Sequence, residues 1–196
     1  MQSHFLIITG MSGAGKTQVV RTLEDLNFFC IDNLPATLIP KFAELCRQTS
    51  EEKVALVVDI RGGRFFDKLL QVLDEMEASG QKYELLFLDA SDATLVRRYK
   101  ETRRRHPLGE RNTLLKNITC ERELLDPLRE KATHIIDTST LTTAQLKAKV
   151  TEMFGEGSSK ERMGIVVRSF GFKHGLPLDS DLVLDVRFLP NPFYVE

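Results

Sequence analysis

The tightest constraint on how this chain can fold is Gly10-Met11-Ser12-Gly13-Ala14-Gly15-Lys16-Thr17, which fits G-x-x-x-x-G-K-[ST] with an extra glycine at Gly13. An apolar run, Phe5-Leu6-Ile7-Ile8, leads into it, and a helix-compatible run from Gln18 to Leu26 leads out. Strand, glycine loop and helix in that order separate a phosphate loop from a chance glycine-rich βα turn. Glycines let successive backbone N–H groups point inward around a polyphosphate. The helix that starts near Lys16 adds the positive end of its dipole. In such a loop Lys16 reaches the β- and γ-phosphates and Thr17 holds Mg²⁺ through its hydroxyl.

The rest of the chain reads as short apolar strands, each followed by a helical pattern, which implies a parallel sheet covered on both faces. The strands are expected at 5–9, 28–31, 54–58, 84–88 and 134–137, in the order 2-3-1-4-5. Helix spacing places Val19, Leu23 and Leu26 inward, then Phe42, Leu45 and Cys46, then Leu69, Val72, Leu73 and Met76. Ser91 is an N-cap for a helix carrying Leu95, Val96 and Tyr99, which Pro107 is expected to break. Leu114, Ile118, Leu125 and Leu128 mark a long helix from Thr113 to Glu130, and Thr142-x-x-Gln145 is a capping box for the last one. Residues 1–154 then form the phosphate-loop domain, and 155–161 a glycine- and serine-rich linker. Residues 162–196 read as the start of a truncated C-terminal domain with strands at Gly164–Arg168 and Leu182–Phe188.

Composition narrows the functional classes. With 42% hydrophobic and 28% charged residues among 196, the chain can bury a core. A net charge of -1 gives no whole-molecule attraction to nucleic acid, so any such site is a local patch. Cys30, Cys46 and Cys120 show no C-x-x-C spacing, which argues against zinc and for free thiols in a reducing compartment. The N-terminus runs almost directly into a strand without a basic-then-apolar leader, and no apolar run has membrane-spanning length. A cytoplasmic location is expected.

A phosphate loop needs an acid at the end of a buried strand to organise the Mg²⁺ water shell. Asp59 and Asp89 both end apolar runs. Asp59 is the better candidate, because Asp59-Ile60-Arg61-Gly62 has the D-x-x-G form in which the glycine N–H meets the γ-phosphate. Asp32 ends the second strand and is either an acceptor-binding acid of a small-molecule kinase or a turn former before Leu34-Pro35. From Arg97 to Arg105 six of nine residues are basic: Arg97, Arg98, Lys100, Arg103, Arg104 and Arg105. This run stands where small kinases keep a lid, and one or two of Arg98, Arg103, Arg104 and Arg105 are expected on the nucleotide. A solvated helix face and an RNA phosphate patch are the alternatives. His106 is expected in a structural hydrogen bond. Asp137-Thr138-Ser139 is a candidate base-pocket edge, and Lys173-His174 is either a surface turn, the favoured reading given the glycines, or a small anion site.

The chain resembles the RapZ/YvcJ family of bacterial nucleotide-binding proteins. The resemblance rests on the phosphate loop, Cys30-Ile31-Asp32-Asn33-Leu34-Pro35, Asp59-Ile60-Arg61, Leu86-Phe87-Leu88-Asp89-Ala90, Arg97-Arg98-Tyr99 and His106-Pro107-Leu108. The tail phrases Ser169-Phe170-Gly171-Phe172-Lys173-His174-Gly175 and Asp185-Val186-Arg187-Phe188-Leu189-Pro190-Asn191-Pro192 extend it. The resemblance implies weak ATP and GTP hydrolysis, with ATP at Gly10–Thr17 and GTP at Asp59–Gly62. For the enterobacterial branch it also implies an adapter that binds small RNAs, partners a ribonuclease and senses an amino-sugar phosphate through its C-terminal domain. Family members continue beyond this chain into a second glycine-rich segment. Arg105 also stands where that branch has an apolar residue, so its ribonuclease role is not carried across.

The expectation is an α/β P-loop NTPase fold: a five-stranded parallel sheet with helices on both faces, plus an incomplete C-terminal α/β domain. Function is expected to be nucleotide binding with slow Mg²⁺-dependent hydrolysis of ATP or GTP, serving a regulatory switch or adapter. Lys16 and Asp59 would serve catalysis, and Thr17 and Asp59 the metal. Gly10 to Thr17, Asp59 to Gly62, Arg103 and Arg104 would contact nucleotide. A small-molecule kinase using Asp32, and an RNA-binding adapter using Arg97 to Arg105 with the C-terminal domain, are the alternatives. A small RNA and a protein partner, reached through the full-length C-terminal domain, and a homo-oligomer are the further partners considered; a membrane is not expected.

Overall fold

The computed structural model describes residues 4–48, 53–58, 63–103, 105–109, 112–155, 166–178, 180–185 and 187–189. Five strands, β1 (His4–Gly10), β2 (Phe29–Asp32), β3 (Lys53–Val57), β4 (Glu84–Asp89) and β5 (His134–Asp137), form one sheet. All pairings are parallel, as the strand–helix alternation predicts, and the order is β2-β3-β1-β4-β5, the one expected. Leu6, Ile7 and Ile8 are each 0% exposed. Consecutive strand residues face opposite ways, so burial of all three means both faces of the sheet are covered.

The cover is α1 (Lys16–Asp25) packed with α6 (Thr143–Phe154), and a second group made of α2 (Ile39–Gln48), α3 (Gly63–Ala78), α4 (Asp92–Thr102) and α5 (Leu114–Glu130). Val19 and Leu23 of α1, Leu69, Leu73 and Met76 of α3, Ile118, Leu125 and Leu128 of α5, and Leu146 and Val150 of α6 enter the core. Leu45 does not: it is exposed, because the inward stripe of α2 is Ile39, Ala43 and Cys46 and Leu45 falls beside it. The N-caps are those read from sequence, Ser91 for α4 and a complete Thr142–Gln145 capping box for α6. Pro107, however, does not end α4. The helix stops at Thr102 with Arg103 in the left-handed region at φ 50°, where the chain turns before the proline is reached.

The chain divides into two compact units, Met1–Ser158 and Ser159–Glu196. In the second, Val166–Arg168 and Leu182–Asp185 are not strands, and the described secondary structure is a 3₁₀ turn at Phe172–His174. A strand needs a pairing partner and an apolar face needs a cover. Here Val167, Leu178, Leu182 and Phe188 are exposed. Arg187 lies over the Phe172 ring at 4.7 Å and hydrogen-bonds Asp185, a local cluster; among the described residues of this unit none is buried. Cys30, Cys46 and Cys120 are unbridged.

β1 lies between β3 and β4, so its carboxyl end opens where the winding of the chain reverses, the usual ligand crevice of such sheets. Gly10 sits at that end with φ 132°, paired with Leu88 of β4, and a Cβ there would lie 2.1 Å from the Leu88 carbonyl oxygen. Gly10→Ala is expected to cost about 3 kcal/mol or more, since backbone strain and overpacking add. Gly13→Ala, whose Cβ would meet the Tyr99 ring at 3.5 Å, should cost only the left-handed strain of about 1–2 kcal/mol. Urea unfolding of the two variants checks the contrast.

Candidate functional site

The loop after β1 is held by its carbonyls. A loop that presents N–H groups inward turns C=O groups outward, and each of those needs a donor. Arg98 Nη1 donates to Gly13 O at 3.0 Å, and Thr138 Oγ1 lies 2.9 Å from Ala14 O and 3.0 Å from Asp89 O. Arg98 also donates to Thr138, through Nη1 to Oγ1 at 3.0 Å and Nη2 to the carbonyl at 2.7 Å. Lys16 Nζ donates to Gly10 O at 2.7 Å and Met11 O at 3.2 Å, which places its ammonium at the loop's opening arm. Ala14 N–H closes a turn onto Met11 O at 3.0 Å, and Gly15, at φ 106°, is the N-cap of α1. Lys16 and Thr17 therefore open the helix, with Thr17 exposed at its first turn.

A second anchor comes from α5. Glu121 is buried, and its Oε1 accepts from Ser12 N–H at 3.1 Å and Ser12 Oγ at 2.6 Å. Its Oε2 lies 3.1 Å from His106 Nε2, and His106 Nδ1 accepts from Leu108 N–H at 3.2 Å. His106 is thus in the structural hydrogen bond expected of it. Glu121 is not legible from sequence, since its partners stand 109 and 15 residues away. The one available signal was an acidic residue on the apolar stripe of α5, between Ile118 and Leu125.

The basic run from Arg97 to Arg105 resolves into different roles. Arg98 turns inward to the loop, and burial together with the charge of Arg97 lowers its guanidinium pKa from the usual value. Arg97 is exposed, 3.9 Å from Glu101 one turn on. Arg103 and Arg105 are exposed, whereas Arg104 lies outside the described residues. Asp89 is turned into an ion cluster rather than toward a metal position. Arg122 Nη1 donates to its Oδ1 at 2.7 Å, Arg129 Nε is 3.5 Å from Oδ2, and Arg122 Nη2 also reaches Asp92 at 2.7 Å. Partial burial alone would lower the Arg122 pKa; hydrogen bonds to Asp89 and Asp92 outweigh it and raise the value.

Asp59, Ile60, Arg61 and Gly62 lie outside the described residues. The chain leading to them is anchored, because Val58 N–H donates to Ile8 O of β1 at 2.9 Å. Asp32 is exposed at the end of β2, an edge strand with β3 between it and β1. Asp137 is held by the hydroxyl and backbone N–H of Ser139, which lower its pKa, while Thr138 between them is spent on the loop. Among the described residues no group of three His, Cys, Asp or Glu side chains converges, and a hydroxyl at the loop is an oxygen donor of the kind Mg²⁺ takes. Thr17, exposed at the mouth of the loop, fits that part.

A parallel sheet ordered 2-3-1-4-5, with a glycine loop feeding α1 at the reversal of winding, defines the α/β P-loop class with a small-kinase layout. Solved shikimate kinases share that fold. The Bacteroides thetaiotaomicron enzyme aligns with TM-score 0.51 at 21% identity, covering 76% of this chain and 96% of its own. The Acinetobacter baumannii enzyme, solved in complex with shikimate, gives 0.52 at 19% identity, covering 78% and 93%. The family model of the RapZ-like N-terminal domain matches residues 3–158, and that of the RapZ C-terminal domain matches 163–196. The chain belongs to the RapZ-like family. A relative from Clostridium botulinum named nucleotide-binding protein is 56% identical over 195 residues, 98% of this chain and 66% of the relative. The chain therefore spans just under two thirds of the length of that curated relative. None of the described helices is long and apolar enough to cross a membrane.

Arg98→Ala removes the donor of Gly13 O and two bonds to Thr138. It is expected to lower stability by about 1.5–3 kcal/mol, the range for hydrogen bonds to a charged group. Arg98→Lys should recover only part of this, because one ammonium cannot reproduce the planar fork. Thermal and urea unfolding compare the three proteins.

Proposed function

We propose that this protein binds a nucleoside triphosphate with Mg²⁺ in the loop Gly10–Thr17, hydrolyses ATP or GTP slowly, and uses loop occupancy as a regulatory signal to a partner. The observation that carries the reading is the loop itself. Its carbonyls are fixed by Lys16, Arg98 and Thr138, so little ordering remains to be done when an anion arrives. The name of the Clostridium botulinum relative supports the ligand class. Lys16 would neutralise the β- and γ-phosphates, Thr17 and Asp59 would hold Mg²⁺ and its waters, and Gly62 would meet the γ-phosphate. Ile60 and Arg61 would flank that contact, and Arg103 and Arg104 would neutralise charge from the far side. When bound, Mg²⁺ supplies charge neutralisation along the phosphate chain. None of these residues is a base for the attacking water, which fits slow turnover.

In the organisation proposed here, residues 1–154 are the phosphate-loop domain, 155–161 a linker and 162–196 the beginning of the C-terminal domain, in a cytoplasmic protein. RNA or protein partners would engage the whole protein through that C-terminal part. A small-molecule kinase is the second reading. It is favoured by Asp32, which is exposed at the carboxyl end of β2, the same end of the parallel strands as the loop.

Calorimetric titration of Mg²⁺ATP and Mg²⁺GTP tests the first reading. Lys16→Ala is expected to weaken binding by about 100-fold or more, from a lost charge-assisted contact of about 3 kcal/mol. Equal affinity of wild type and variant removes the proposal. Asp59→Ala should leave nucleotide binding measurable and abolish the dependence of hydrolysis on Mg²⁺ concentration. Phosphate appearing on a hydroxyl acceptor faster than in water, and lost in Asp32→Ala, would replace the switch by the kinase.

A further inference from the structure

One buried carboxylate has no part in the roles assigned above. Glu121 is 4% exposed and divides its oxygens between two segments, neither on its own helix. Oε1 serves Ser12 in the phosphate loop, through N–H at 3.1 Å and Oγ at 2.6 Å. Oε2 serves His106 at 3.1 Å. Because His106 Nδ1 accepts the Leu108 N–H, the ring proton sits on Nε2 and points at Glu121. One turn earlier on α5, buried Asn117 donates to Gly109 O at 2.6 Å. The helix therefore grips the segment 106–109 at two points and the phosphate loop at a third. The basic side chains of Arg103 and Arg105 stand immediately before that segment.

A buried carboxylate that loses either set of donors is left with an uncompensated desolvation cost. Its two oxygens are fixed in one plane, so the carboxylate satisfies both neighbours only while both hold their geometry. We infer that Glu121 is a positioning residue that makes the phosphate loop and the segment 105–109 one thermodynamic unit, so that polyphosphate in the loop and placement of the arginines beside His106 favour each other. The effect is reciprocal: whatever fixes the segment tightens the loop, and occupancy of the loop fixes the segment. The inference rests on reading Gly10–Thr17 as a nucleotide site, but the joint between loop and segment can be tested without nucleotide.

That first test is amide hydrogen exchange on the full chain without nucleotide, comparing wild type with Ser12→Ala. The variant keeps the Ser12 N–H bond and removes the hydroxyl bond, and Ser12 is not among the hydrogen-bond partners of His106, Leu108 or Gly109. Exchange at Leu108 and Gly109 is expected to speed by about fivefold or more, the lower end of measured site-to-site couplings, with exchange in β1 and β4 unchanged. Unchanged exchange at Leu108 and Gly109 in the folded variant overturns the inference.

The second test is a cycle of affinities for a non-hydrolysable ATP analogue with Mg²⁺. Arg103→Ala with Arg105→Ala should weaken the analogue about tenfold in wild type and less than about twofold in a Glu121→Gln background, a coupling within the usual allosteric range. Equal losses in both backgrounds overturn it. Should Glu121→Gln not fold, His106→Gln replaces it. That variant keeps a donor toward Glu121 and removes the acceptor for Leu108 N–H, and the same non-additivity is expected. If wild type does not bind the analogue, the nucleotide reading falls, and the exchange comparison alone decides whether the joint exists.

Discussion

The geometry of the candidate site depends on where the backbone carbonyls of one glycine loop find donors. N–H groups can be turned toward an anion only if the peptide oxygens between them are satisfied on the other side, because an unpaired buried carbonyl costs as much as a lost hydrogen bond. Here the donors come from widely separated chain segments: Lys16 from the loop itself, Arg98 from α4, and Thr138 from the end of β5. Thr138 also returns to Asp89 O, so the ends of β4 and β5 and the loop share one hydroxyl and one guanidinium. Strand order makes this possible, since β4 lies between β1 and β5 and brings their carboxyl ends within reach of a single side chain.

Much of this fold was legible in the sequence because its signals are local. Runs such as Leu6-Ile7-Ile8 and Leu85-Leu86-Phe87-Leu88 admit little but buried strands. Ser91 and Thr142 cap helices through bonds to residues three positions on. The phosphate loop is local in the same sense. What could not be read depends on contacts distant along the chain. Nothing near Glu121 announces that it meets Ser12, and nothing in six basic residues singles out Arg98 as one that turns toward Gly13. Val166–Arg168 and Leu182–Asp185, expected to lie in strands, are not strands for a related reason, and Gly164, Ile165 and Val186 lie outside the described residues. Apolar spacing predicts a willingness to pair, while a sheet needs a second edge.

The split of the arginine run matters for any lid in this family. A helix face carrying Arg97, Arg98 and Lys100 looks uniformly basic in sequence, yet Arg98 binds two carbonyls and Arg97 stays exposed near Glu101. Arg103 occupies a left-handed position at the end of α4, so the direction in which the following residues leave the helix is set by that one residue's backbone. The segment is then caught again at His106 and Gly109 by α5. Arg105 adjoins the buried, hydrogen-bonded His106, so ordering it costs less entropy than ordering an arginine in a free loop.

The ion cluster at the end of β4 gives the crevice a direction. Asp89 would be the natural second acid of a metal site, but two arginines from α5 neutralise it and Asp92 completes the cluster. The β4 side of the loop thus offers an approaching cation little attraction. The attraction for an anion at the loop rests on Lys16 and the opening of α1. The cluster sets two guanidiniums against two carboxylates, so its formal charges cancel at the end of β4. The ion pairs of Asp89 thus tie the end of β4, which pairs with Gly10, to α5, which holds Ser12.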